Sequence, residues 1–114
     1  MTARKYELTN EKKMVGNQMV YRIRALCSFG DIKKGDLGGF VQSEANLDHI
    51  GTCWVADEAV SMESARIAQG CRVCGEAIVS EQARVFGKAY VTDMAHVGGE
   101  ARVHASARIT GSAM

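Results

Sequence analysis

From Cys53 onward, small, β-branched and polar residues return every six positions. Cut in sixes, the chain reads CWVADE, AVSMES, ARIAQG, CRVCGE, AIVSEQ, ARVFGK, AYVTDM, AHVGGE, ARVHAS and ARITGS, ten hexads without an insertion or deletion. The first slot is Ala in eight and Cys in two; the third is Val or Ile in nine, with Ser61 the exception. Positions two apart share one side of a strand, so slots one and three point inward and slots two and four outward. Slots five and six, rich in Gly, Asp, Glu and Gln, make a bend. A period of six fits neither the 3.6-residue helix nor the 3.5-residue coiled coil. A meander of two-residue hairpins would want Asn-Gly or Gly-Gly at each turn. The pattern therefore predicts an all-β chain wound as a parallel β-helix, three hexads to a coil of about 18 residues and about three coils in all. Ala and Cys suit the tight interior corners, and Val and Ile the flat walls.

The preceding stretch follows another rule. "MVGNQMVYRIRAL" alternates as two strands around a Gly16-Asn17 turn and predicts a hairpin. "FGDIKKGDLGGFV" carries Gly30, Gly35, Gly38 and Gly39 and reads as tight bends leading onto the first coil. A phosphate-cradling loop would need a helix after it, and no helical period follows. Residues 1–50 are accordingly expected to cap a repeat domain of residues 51–114, the two forming one compact unit.

The hexads resemble the left-handed β-helix of the hexapeptide-repeat proteins over residues 53–113, so the helix is expected to be left-handed. The beat departs from the acyltransferase form of that family, where Gly or an acidic residue directly follows the aliphatic one; here it comes one place later, as in "VFG" and "ITG". "YRIRAL", "GDIKKGDLGGFV" and the "ARV" hexads together are similar to a group of small phage- and prophage-encoded β-helix proteins, often labelled transferases on the repeat alone. That resemblance implies a bacterial host's cytoplasm. It also carries the expectation of an inhibitor of a host defence complex, of the anti-CRISPR kind, or of a structural phage component.

Stacking residues 18 apart turns the sequence into a surface map. One wall carries Arg66, Arg84 and Arg102 in slot two, with Phe86 and His104 in slot four. A second carries Trp54, Arg72, Tyr90 and Arg108. A third carries Val60, Ile78 and His96 with Met62. Two readings of the arginine ladder stand: the bend carboxylates Glu58, Glu63, Glu76, Glu81 and Glu100 neutralise it, or it is a cationic face for an acidic protein or a nucleic-acid backbone. Trp, Tyr and Arg are also the residues enriched at interface hot spots. The apolar wall needs cover, from the N-terminal cap or from a second copy; with the C-terminal coil near Met114 it predicts a homodimer.

Composition narrows the chemistry. Formal net charge is +1 with 24% charged residues, which gives no overall pull toward nucleic acid. No run is long enough to span a bilayer and the N-terminus lacks a signal peptide's apolar stretch, so a cytoplasmic protein with reduced cysteines is expected. "CRVC" at 71–74 has a metal or redox spacing, but the beat puts Cys71 inside and Cys74 outside, and stacks Cys53 on Cys71 as small buried thiols. Cys27 has no evident partner. No metal, cofactor or catalytic set is predicted. The enzymatic alternative is a hexapeptide-repeat acyltransferase using acyl-coenzyme A, in which family a histidine acts as base. Here the hexads are unbroken by the site loop usual there, and His96 and His104 fall on different walls.

Overall fold

The computed structural model describes residues 4–104 and 108–109. They form a β-solenoid preceded by a hairpin. The hairpin strands are β1 (Tyr6–Val15) and β2 (Gln18–Ala25). Gly16, at φ +61°, opens the turn between them, and β1 carries a register break between Leu8 and Lys12. The solenoid strands follow as β3 (Leu37–Val41), β4 (Leu47–Gly51), β5 (Trp54–Val55), β6 (Val60–Ser61), β7 (Arg66–Gln69), β8 (Arg72–Val73), β9 (Ile78–Val79), β10 (Arg84–Val85), β11 (Tyr90–Val91), β12 (His96–Val97), β13 (Arg102–Val103) and β14 (Arg108–Ile109).

Three parallel stacks make the walls: β3-β6-β9-β12, β4-β7-β10-β13 and β5-β8-β11-β14. They are called here the first, second and third walls. The hairpin continues the first wall through an antiparallel β2–β3 pairing, giving a six-stranded sheet. The solenoid has about four turns rather than the three expected. The additional turn is β3-β4-β5, because β3 and β4 pair in parallel with β6 and β7.

That first turn was hidden by two extra residues. Phe40 pairs with Val60 and Leu47 with Ile67, each 20 positions on, before Gly51 pairs with Gln69 at 18. The register shift between Leu47 and Gly51 in β4 absorbs the difference, just after a 3₁₀ turn at Glu44–Asn46 in which Ser43 and Asn46 form a reciprocal capping box. The buried Asn46 amide donates to the carbonyls of Glu63 and Ala65, at 3.1 and 2.9 Å. Ser61, the exception in slot three, donates its hydroxyl to the Asn46 carbonyl at 3.0 Å. Gly39 takes the small slot of this turn, where a Cβ would lie 2.4 Å from the Ala59 carbonyl oxygen.

The core is the pair of predicted columns. Cys53, Ala59, Ala65, Cys71, Ala77, Ala83, Ala89 and Ala95 stack with Val55, Ile67, Val73, Val79, Val85 and Val91, all buried. The slot-five bend residues Asp57, Glu63, Gln69, Gly75, Glu81, Gly87, Asp93 and Gly99 all have positive φ. For the non-glycine members this costs about 1–2 kcal/mol each. A side-chain bond along the solenoid offsets it at three corners: Asp57 accepts from Gly75 N–H, Glu63 from Glu81 N–H and Gln69 from Gly87 N–H, at 3.1, 3.1 and 2.7 Å.

The residues entering β1 close the top. Tyr6 is fully buried, donates to the Leu47 carbonyl at 2.6 Å and stacks on His49 at 4.2 Å. The Lys5 ammonium is buried and donates to the Cys53 carbonyl at 2.7 Å. Burial pushes the Tyr6 phenol up from its ordinary range. Cys53 and Cys71 are buried thiols that form no disulfide; burial raises both, Cys71 to about 12.

Candidate functional site

The second wall brings the arginine ladder together as mapped. Arg66, Arg84 and Arg102 are in register on β7, β10 and β13, and all three are exposed. Parallel pairing roots neighbouring side chains about 4.8 Å apart. In the next outward column Phe86 and His104 stack nearly parallel, with centroids 5.4 Å apart and planes at 16°. An open groove of about 400 Å³ runs along the ladder from Asp48 and Gln69 past Phe86. Sequence reasoning missed Asp48, because the turn that carries it breaks the 18-residue register.

Among the described residues, none of the carboxylates expected to neutralise the ladder is ion-paired with it, and Glu100 lines a cleft together with Arg84 and Arg102. Among the described residues, no Asp or Glu lies within ion-pair distance of Arg66, Arg84 or Arg102. Glu58 is held by Arg22 at 2.7 Å and by Lys13 at 3.7 Å, and the Arg22 bond keeps its carboxyl below the usual range. Glu63, Glu81 and Glu100 line the corner between the first and second walls. Like charges this close repel by about 1 kcal/mol per adjacent pair even in water, which an incoming anion relieves.

The third wall is different. Trp54, Arg72, Tyr90 and Arg108 are in register, as mapped. Trp54, however, is only 1% exposed and cannot serve a partner. The segment between β2 and β3 and the start of β3 fold over it: Phe29 meets the indole edge-on at 5.4 Å, and a Cβ on Gly38 would lie 2.7 Å from its ring. The same segment supplies Asp31, which pairs with Arg72 at 2.5 Å and is itself held below the usual carboxylate range by that arginine. Lower down, Tyr90 is 38% exposed and the Arg108 guanidinium lies 5.4 Å from its ring centre. Cys74 is outward yet buried, with its thiol 3.3 Å from both the Tyr90 and Thr92 hydroxyls.

On the first wall, Val60 is only 2% exposed, so it is withdrawn from the proposed oligomer surface. The hairpin curls over it: Val60 clusters with Val20 and Phe40, and Val15, Met62 and Ile78 pack beside them partly buried. Lys13 and Arg22 lie over the Phe40 ring at 4.3 and 4.4 Å. His96 stays exposed beyond this cover, in register with Ile78. Met114 lies outside the described residues.

Among the described residues, His49 has a carboxylate partner, with Glu44 Oε1 2.8 Å from its Nε2. Its Nδ1 accepts the Lys5 backbone N–H at 2.9 Å, so the ring proton sits on Nε2 and both nitrogens are used structurally. Among the described residues no group of three or more His, Cys, Asp or Glu could hold a metal ion, and no helix is long and apolar enough to cross a membrane.

No family model matches the chain. It is similar to a protein of Escherichia coli (strain K12) named uncharacterized acetyltransferase YdcK, at 28% identity over 85 residues. That similarity covers 67% of this chain and 26% of the other protein, so the chain spans about a quarter of that relative's length. The similarity and the solenoid together fit a β-helix of the hexapeptide-repeat kind.

Proposed function

We propose that this chain is a recognition module that binds an anionic macromolecular partner through the second wall and its border with the third. The observation that carries this reading is the ladder: three exposed guanidinium groups in one line, with no carboxylate in ion-pair range among the described residues. With net charge near zero, adherence to a polyanion at low salt would have to come from a local cationic patch such as this one. Retention on a heparin column at low ionic strength tests it. The native protein should be retained, and the Arg66→Glu, Arg84→Glu, Arg102→Glu triple variant, checked for unchanged circular dichroism, should flow through. Equal behaviour of the two would sink the reading. The narrower version, a phage-encoded inhibitor of a bacterial defence complex, draws on the N-terminal resemblance. Its test is restoration of phage plaques on a defended host by expression of the chain.

A second reading, acyl transfer from acyl-coenzyme A, draws on the similarity to a protein named an acetyltransferase. Its candidate bases are His96 and His104, both exposed. Calorimetric titration with acetyl-coenzyme A decides it, since heat of binding lost in His104→Gln or His96→Gln would favour this reading over the first. The homodimer is the remaining proposal, through the partly uncovered Ile78 and Met62; light scattering at high micromolar concentration tests it.

A further inference from the structure

We infer that the ligand of this edge is single-stranded nucleic acid, an inference that rests on the anion-binding reading above and names its ligand class. A sequence-tolerant single-strand binder needs a line of cations to follow the phosphates and aromatic faces on which bases stack. Both are present side by side. The ladder runs over two coil rises, about 10 Å. One outward column away stand Phe86 and His104 in their parallel stack, and around the corner Tyr90 stands under Arg108.

The corner joining these two walls separates this edge from the others. It is built of Gln69, Gly70, Gly87 and Lys88, with no carboxylate and one more cation. The corner between first and second walls carries Glu63, Glu81 and Glu100, and that between third and first carries Asp57, Glu58, Glu76 and Asp93. Near-zero net charge thus conceals an uneven distribution: the ladder and the corner after it carry cations, bordered by Asp48 in the groove and by Glu100 beside Arg84 and Arg102. An acidic protein would satisfy the arginines but leave the aromatic faces without stacking partners. A duplex offers phosphates but keeps its bases paired. Only a single strand uses both features. Phosphate contacts and ring stacking carry little base identity, so binding should be tolerant of sequence.

The test is fluorescence anisotropy with the full chain and three probes: a labelled oligothymidine 12-mer, a duplex of equal length, and a polyglutamate peptide. The single strand should bind best. If each arginine meets one phosphate, the slope of log affinity against log salt should be about −2, a loss of about twenty-fold between 50 and 200 mM salt. Arg84→Gln should flatten the slope to about −1.4. Phe86→Ala should weaken binding about ten-fold at unchanged slope, separating stacking from charge. Phe86→Leu keeps the apolar packing and should show the same loss if the ring itself is what matters. Tightest binding of polyglutamate, indifferent to Phe86→Leu, would overturn the inference while leaving the anion-binding reading intact. Equal binding of the duplex would overturn it as well. No binding to any probe, with no retention on heparin, would remove both.

Discussion

The second and third walls put arginine in the same outward slot, yet only one of them is open. On the third wall the segment between β2 and β3 lies across the upper rungs, burying Trp54 beneath Phe29 and neutralising Arg72 with Asp31. On the second wall nothing among the described residues pairs with Arg66, Arg84 or Arg102. The slot in the repeat decides only that a side chain points away from the core. Whether it meets solvent, a ring or a carboxylate is decided by chain far away in sequence.

The contrast can be broken most forcefully at Trp54. Trp54→Ala should destabilise the fold by about 3–5 kcal/mol in urea unfolding, the cost of emptying a buried indole site. Tyr90→Ala, two rungs lower in the same column but exposed, should stay within about 1 kcal/mol. Equal losses would mean the segment bearing Phe29 does not cover Trp54 in solution.

The interior gives the next effect. Cys71 has its pKa raised from an ordinary 9.0 to about 12 by burial. Below pH 9 the thiol is neutral in both folded and unfolded chains and contributes no pH dependence. Between pH 9 and 12 the unfolded chain ionises first, so stability should fall by about 1 kcal/mol per pH unit. Denaturation followed from pH 8 to 10.5 checks this, and Cys71→Ala should reduce the alkaline slope. An unchanged slope would place the thiol in contact with water.

Arginine substitutions should have opposite signs on the two walls. Arg84→Gln removes like-charge repulsion and should stabilise by about 0.2–1 kcal/mol at low salt, an effect that vanishes at 1 M. Arg72→Gln should destabilise, because it strips Asp31 of its partner. The smallest change expected is for Asp31→Asn. It frees Arg72 without touching the core, and should shift elution from heparin to modestly higher salt. Unchanged elution would confine anion binding to the ladder.

Much of the fold was legible in the hexads, and for a physical reason. Each hexad repeats the same local environment, so the requirement for Ala or Cys at the corner is written ten times and that for Val or Ile on the wall nine times. The register of Arg66, Arg84 and Arg102, and of Trp54, Arg72, Tyr90 and Arg108, follows from counting by 18. The first turn was not legible. Gly39 replaces its corner alanine, Asn46 builds a polar plug, and two extra residues throw off the count at Leu47. Ser61 looked like a flaw in the repeat because its partner, the Asn46 carbonyl, belongs to that unseen turn.

The candidate site divides the same way. Sequence alone determined which side chains leave the core and which stack in line, because a strand's alternation and a fixed coil length are local rules. Only the tertiary structure decided which of those side chains remain available. The hairpin took Val60, the Phe29 segment took Trp54 and Arg72, and Glu58 went to Arg22. Those contacts join residues about 20 to 40 positions apart through packing and charge that no repeat encodes, and they leave the arginine ladder as the uncovered line of charge.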